Sequence, residues 1–213
     1  MINQISPLPK FLIDRYKKWK FGKYLKNEVK FRKLASIGQS PSTMIVSCCD
    51  SRVHATSIFG AEEGEFFIHR NIANIVPPFS PDGEYHGTSA AIEYATMVIK
   101  VSHLIILGHR DCGGIKSFYN SRNNKNSDYF FINKWLNILS PILSKISNDI
   151  SPSNQIELLE EENIKNSINN LFSFPNIKNA VENNNLSIHG LIHDIGTGKL
   201  KYLNPSTEKF ELL

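Results

Sequence analysis

The sequence predicts an α/β fold, with a mainly parallel central sheet, flanking helices and an N-terminal helical arm, and three observations carry that reading. Leu104-Ile105-Ile106-Leu107 is an unbroken apolar run ended by Gly108, the pattern of a strand buried on both faces. Met44-Ile45-Val46 is a second short apolar run, placed after the break Gly38-Gln39-Ser40-Pro41. Between the two, Ala91, Ile92, Ala95, Val98 and Ile99 recur with helical period over residues 88–100. Strand, helix and strand in that order argue for parallel strands joined by a crossover.

The remaining elements follow along the chain. Residues 1–35 are rich in Lys, Arg and aromatics, and Phe11, Leu12, Tyr16 and Trp19 can line one face of a helix. The simplest reading is a peripheral arm with a solvated basic face. Residues 65–70 form a second strand, 77–87 a Pro- and Gly-rich loop, and Thr88 or Ser89 can cap the helix over 88–100. Segment 117–130 is polar and Asn-rich, a surface excursion, and helical patterns follow around 131–146 and 155–172. Glu160-Glu161-Glu162 reads as the wet face of the second of these helices. Residues 186–195 and 199–203, joined by Gly196-Thr197-Gly198, read as a hairpin or paired edge strands. With no internal repeat and no linker, residues 1–213 are expected to form a single domain, with 1–35 the helical arm and 36–205 the core.

Composition narrows the class. At 41% hydrophobic and 10% aromatic residues the chain can bury a core, which excludes a disordered protein. The formal charge of +4 is small and scattered, unlike the clustered Lys and Arg of a nucleic-acid binder. No stretch approaches the roughly 18–20 apolar residues of a membrane span, and the first fifteen residues hold Asp14 and two prolines instead of an apolar signal core, so the expected location is the cytoplasm. Three cysteines, Cys48, Cys49 and Cys112, cannot all pair, and in a reducing compartment they read as metal-binding or reactive.

Both cysteine segments fall where a strand gives way to a loop, the place at which open α/β sheets build ligand sites. They read Cys48-Cys49-Asp50-Ser51-Arg52 and Gly108-His109-Arg110-Asp111-Cys112-Gly113-Gly114. Thiolates and a neutral imidazole are ligands that Zn²⁺ favours, and His109 and Cys112 can reach one ion from a single turn. Cys48 or Cys49 can supply the third ligand if the two strand ends are neighbours, with the fourth position open or taken by Asp50. Three protein ligands with an exchangeable fourth position are the arrangement of a catalytic zinc.

Cys48-x-Asp50-Ser51-Arg52-Val53 together with Gly108-His109-x-x-Cys112-Gly113-Gly114 resembles the signature of the β-class carbonic anhydrases. His69-Arg70-Asn71-Ile72-Ala73-Asn74 and Gly87-Thr88-Ser89-Ala90-Ala91-Ile92-Glu93-Tyr94-Ala95 match the same family in order, so the resemblance is strong over about residues 30–115 and looser in the tail. It implies a zinc lyase that interconverts CO₂ with bicarbonate and a proton through attack of a zinc-bound hydroxide. It also implies one Zn²⁺ per subunit on Cys48, His109 and Cys112, with Asp50 and Arg52 as a catalytic dyad and Cys49 left as packing. Two thiolates and a neutral imidazole cancel the charge of the ion, so help from an oriented carboxylate is wanted. Arg52 is expected to keep Asp50 ionised and off the metal.

The same resemblance assigns Gln39, Phe67, Ile72, Tyr94 and the backbone N–H of Gly113 to the substrate pocket, apolar as an uncharged substrate requires. Ile45 and His193 stand where the family's closing variant has Trp and Tyr, and Gln39 matches the glutamine of the open variant. The open, plant-type form is therefore expected, with Asp50 a ligand only in a closed one. Family membership further implies a homodimer or homotetramer with its site at the dimer interface, and no nucleic-acid or membrane partner. His54, His69, His86, His103, His189 and His193 are the candidates for carrying the proton out. Hydrolysis of a related heterocumulene such as CS₂ or COS on the same fold, or a non-catalytic zinc-binding bicarbonate sensor, are the alternative functions.

Overall fold

A computed structural model describes residues 5–81, 86–122 and 128–213 of the chain, which divides into two compact units, residues 1–39 and 40–213. The N-terminal unit holds α1 (Lys10–Trp19), continued by a wider helical turn to Tyr24, and α2 (Glu28–Ile37). Its internal contacts are aromatic: Trp19 lies 5.5 Å from Tyr24 and 5.8 Å from Phe31, and Tyr24 stacks on Phe31 at 5.2 Å. Phe11, Leu12 and Tyr16 are exposed, so the apolar face read from the sequence is not covered within the described residues.

The second unit is built on six strands: β1 (Thr43–Cys48), β2 (Phe66–Asn71), β3 (His103–His109), β4 (Ser187–His193), β5 (Leu200–Leu203) and β6 (Phe210–Leu212). Their spatial order is β2-β1-β3-β4-β5-β6. β1 pairs in parallel with β2 and β3, and β3 with β4, whereas β5 and β6 are antiparallel additions at one edge. The sheet is thus mainly parallel, as the apolar runs foretell, and every residue of β1 is buried. Side chains alternate between faces: Met44, Val46, Leu104 and Ile106 join one core cluster, Ile45 and Leu107 another. The expected hairpin is the β4–β5 pair, closed by Asp194, whose Oδ1 accepts the N–H groups of Gly196 and Thr197. Nothing in the pattern after residue 203 announces β6.

The helices are α3 (Ala55–Ile58), α4 (His86–Glu93), α5 (Gly113–Ser121), α6 (Phe130–Leu136), α7 (Ser140–Leu143), α8 (Pro152–Leu171) and α9 (Pro175–Glu182). Three sequence expectations are corrected. Thr88 is not a cap: it lies inside α4, buried, and its hydroxyl meets His69 Nε2 at 3.0 Å and accepts from Asn71 Nδ2 at 3.2 Å. Residues 117–121 continue α5, so the excursion is shorter than 117–130, and residues 123–127 lie outside the described part. Glu160 is buried, because it shares with Asn163, Ile164, Ser167 and Leu171 the face that α8 turns to the core.

α8 approaches the sheet closely because two strand positions carry no side chain. A Cβ on Gly108 would stand 2.7 Å from Ile164 Cδ1, and one on Gly190 3.0 Å from Ile164 Cγ2. Ile164, fully buried, fills the groove these glycines leave. That seating brings Glu160, one turn earlier, to the end of β3.

Candidate metal centre

Cys48 closes β1 and His109 closes β3, the central parallel pair, and Cys112 is the residue from which α5 starts. A turn through Asp111, whose φ of 62° lies in the left-handed region, folds Cys112 back towards the strand ends. The three side chains converge, buried, with ligand atoms all within 4.8 Å of one another and the two sulfurs 3.9 Å apart. Cys49, the next residue, is outside this group and exposed, so it is not the packing residue expected from the sequence: it follows the last buried position of β1.

The donor chemistry fits a soft divalent cation. His109 Nδ1 lies 2.9 Å from the Arg110 carbonyl, which can only accept, so Nδ1 carries the proton and Nε2 offers a lone pair. Nε2 is itself buried with no hydrogen-bond partner, an orphaned polar atom that a metal would satisfy. The Cys112 thiol, His109 and the Asp50 N–H, the last 3.4 Å from Cys48 Sγ, bring the Cys48 pKa down against the opposing effect of burial. The Cys48 thiolate and burial push the Cys112 thiol upwards. A bound cation favours the thiolate form of both cysteines and so displaces their protons. Burial alone would lower the His109 pKa, but the Cys48 thiolate and the Arg110 carbonyl raise it.

Asp50 stands beside this group in the grip of Arg52. Arg52 Nε and Nη2 donate to Asp50 Oδ1 and Oδ2 at 2.9 and 2.7 Å, and the Arg52 backbone N–H donates to Oδ1 at 3.0 Å. The Arg52 bonds hold the Asp50 carboxyl well below the usual carboxylate range, although burial works against them. The guanidinium is anchored in turn on Asp111, through Oδ2 at 3.2 Å and the carbonyl at 3.1 Å. Lys116 also pairs with Asp111.

Arg70 is a site residue whose role the sequence did not disclose. Its Nε donates to the Cys48 carbonyl at 2.8 Å and its Nη2 to those of Asp50 and Val53 at 2.7 and 2.9 Å, fixing the whole loop that carries Cys48 and Asp50. The available signal is its position near the end of a strand that runs parallel to β1. Glu160 and Arg110 support the other turn: Glu160 Oε1 accepts from Cys112 N–H at 3.0 Å, and Arg110 Nη1 donates to Oε2 at 3.3 Å. The signal for Glu160 was its helical register with Ile164, masked by the run of three glutamates.

Of the sequence-derived pocket residues, Phe67 and Tyr94 stack at 5.8 Å between ring centroids. Ile72 packs against Gly114, where a Cβ would be 2.8 Å from Ile72 Cγ2, and the neighbouring Gly113 is the first residue of α5. Gln39 belongs to the N-terminal unit and is exposed. Ile45 is fully buried in β1, and His193 sits opposite His109 with its Nδ1 buried and unpartnered. Among the other histidines, His54 meets Thr56 at 2.7 Å, burial lowers the pKa of His69, and His103 meets His189 at 3.2 Å at the start of β3, away from the metal end. The His86 side chain lies outside the described part. A cavity of about 660 Å³, lined by Arg110, Asp111, Lys116, Glu160 and Lys201 among others, opens beside the Asp111 turn and shares none of the pocket residues. No helix among the described residues is long and apolar enough to cross a membrane.

Residues 43–200 match the family model described as carbonic anhydrase. The chain is 32% identical over 200 residues, 92% of its length and 67% of the relative's, to the mitochondrial β carbonic anhydrase 6 of Arabidopsis thaliana. Among solved structures it resembles the β-carbonic anhydrase CcaA, with a TM-score of 0.87 and 28% identity over 96% of this chain and 91% of that one. It also resembles a tetrameric β-carbonic anhydrase of Sordaria macrospora, with a TM-score of 0.78 and 30% identity over 91% and 95% of the two chains.

Proposed function

The chain belongs to the β-class carbonic anhydrases, enzymes of reversible CO₂ hydration, and from that premise we propose that Cys48, His109 and Cys112 hold one Zn²⁺ per subunit. The observation that carries the proposal is the buried, partnerless His109 Nε2 facing two thiols within 4.8 Å. Zinc held there supplies Lewis acidity, which brings the pKa of a coordinated water from about 15.7 towards 7. The two protein loops contribute the rest. CO₂ and water yield bicarbonate and one proton, so the site must orient an oxygen lone pair towards carbon and release a proton.

Asp50 performs the orientation as an ionised acceptor, its charge favoured by Arg52, that fixes the direction of an O–H bond. Arg52 performs it at one remove, holding both Asp50 oxygens so that the carboxylate does not swing onto the metal. This restraint supports the open form. Phe67, Ile72, Tyr94 and the N–H of Gly113 form the apolar, weakly polar-edged surface that suits CO₂. Ile72 and Tyr94 remain 37% and 44% exposed in a single chain. A second copy of the chain, with its Gln39, completes this pocket in a homodimer or in a homotetramer such as the Sordaria relative forms. A reducing compartment keeps such thiols free to bind metal, in keeping with the cytoplasm.

The deciding experiment measures zinc content and CO₂ hydration by stopped flow across pH on one preparation. About one zinc per chain and hydration that rises through neutral pH are expected. Activity on CS₂ or COS without CO₂ hydration would reassign the substrate, and zinc without either activity would make the chain a sensor.

A further inference from the structure

Glu160 is the most deeply buried acid near the site that the mechanism above does not use: it is 3% exposed, and burial pushes its pKa up. A carboxylate in such a place is costly unless its oxygens are satisfied. Both are, and both partners belong to the His109–Cys112 turn. Oε1 accepts from the backbone N–H of Cys112 at 3.0 Å, and Oε2 accepts from Arg110 Nη1 at 3.3 Å, while the Arg110 guanidinium also donates to the Glu157 carbonyl at 2.7 Å and pairs with Glu161. The same Arg110 offers the carbonyl that fixes the His109 tautomer. Glu160 is carried by the helix whose Ile164, one turn on, packs fully buried against Gly108.

We propose that Glu160 is a positioning residue for metal binding, its carboxylate holding the Cys112 peptide from α8 so that Cys112 Sγ and His109 Nε2 stand pre-set for the ion. The proposal rests on the reading of Cys48, His109 and Cys112 as the metal ligands. The tether acts on a turn that passes through Asp111 at φ 62°, in the left-handed region, and it adds to the Arg52 and Lys116 contacts that hold Asp111 itself. Cys112 is 1% exposed, and removing the carboxylate takes away the acceptor that its buried N–H has in the fold. Outer partners of this kind typically change metal affinity by about 10–100-fold.

Zinc affinity of the full chain, measured by competition with a chromophoric chelator, tests the assignment. Glu160→Leu, which removes the acceptor, should weaken zinc binding by about 10-fold or more, whereas Glu160→Gln, whose amide oxygen can still accept from Cys112 N–H, should stay within about threefold of wild type. Glu160→Asp, which keeps the charge but withdraws the acceptor by one methylene, should fall with Glu160→Leu and decides the matter if the leucine variant does not fold. A merely structural Glu160 would lower the melting temperature of zinc-free and zinc-loaded protein alike and leave zinc affinity unchanged, which overturns the proposal. So does a Gln variant as weak as the Leu variant. Wild-type protein that binds no zinc overturns the ligand assignment itself, a result distinct from wild-type binding with unaltered variants.

Discussion

Arg52 holds both oxygens of Asp50, at 2.9 and 2.7 Å, while Oδ2 of that carboxylate stands 4.0 Å from His109 Nε2. The carboxylate therefore lies next to the metal-binding atom, but both its oxygens are held by a fork anchored elsewhere, on Asp111, with an acceptor position left on Oδ2. A lysine cannot reproduce a two-pronged grip. Arg52→Lys should keep its zinc and lose about 10²-fold in kcat/KM, the usual effect of displacing a reacting group by an ångström. Asp50→Asn, which keeps the shape but removes the charge and turns one acceptor oxygen into an NH₂ donor, should lose about 10²–10⁴-fold. Stopped-flow rates normalised to zinc content check both, and an Arg52→Lys enzyme at wild-type rate would remove Arg52 from the mechanism.

The neighbouring cysteines should behave oppositely. Cys48→Ser removes a buried thiolate donor and should abolish zinc retention through dialysis, whereas Cys49→Ser alters an exposed side chain and should retain it. Metal analysis of the two dialysed variants separates them, and the reverse pattern would shift the ligand register by one residue.

What could be read in advance was what repeats or what is chemically rare. Apolar runs at 44–46 and 104–107 give buried parallel strands because such strands have no wet face, and Cys48, His109 and Cys112 at their ends are the residue types a soft metal selects. What escaped depends on contacts distant in sequence. Glu160 looks like one of three solvated acids until Ile164 is seen seated on Gly108 and Gly190, and Arg70 becomes a clamp only because β2 lies beside β1. Thr88 suits a helix cap by type, but its hydroxyl is taken by His69 and Asn71 from another strand. β6 is three residues long, too short for a period to register.

Acid should weaken the fold through His69. Burial lowers its folded pKa below the ordinary 6.5, so the unfolded chain takes up a proton first as pH falls. The contribution of the neutral ring is complete above about pH 6.5 and is lost progressively towards the lower folded value. Glutamine can still hydrogen-bond Thr88 but does not titrate. Melting temperatures of zinc-loaded wild type and His69→Gln, followed from about pH 7.5 to 5, should diverge below about 6.5 with the shallower decline in the variant. Parallel curves would mean that His69 protonates as freely folded as unfolded.

The seating of α8 yields a prediction about coupling. Gly108→Ala would set a Cβ 2.7 Å from Ile164 Cδ1, and because Ile164 is fully buried neither partner can yield into solvent. Overpacking of this kind costs about 1–3 kcal/mol. Ile164→Val deletes the methyl that the added Cβ would strike and alone should cost about 0.5–1.5 kcal/mol as a small cavity. Combined, the new methyl occupies part of the space the old one left, so the double variant should be more stable than the sum of the singles by at least about 0.5 kcal/mol. Denaturant melts of the four proteins measure the cycle. Strict additivity would mean that α8 slides away from the sheet instead of being held against it, and such a slide would also carry Glu160 away from the Cys112 peptide it supports.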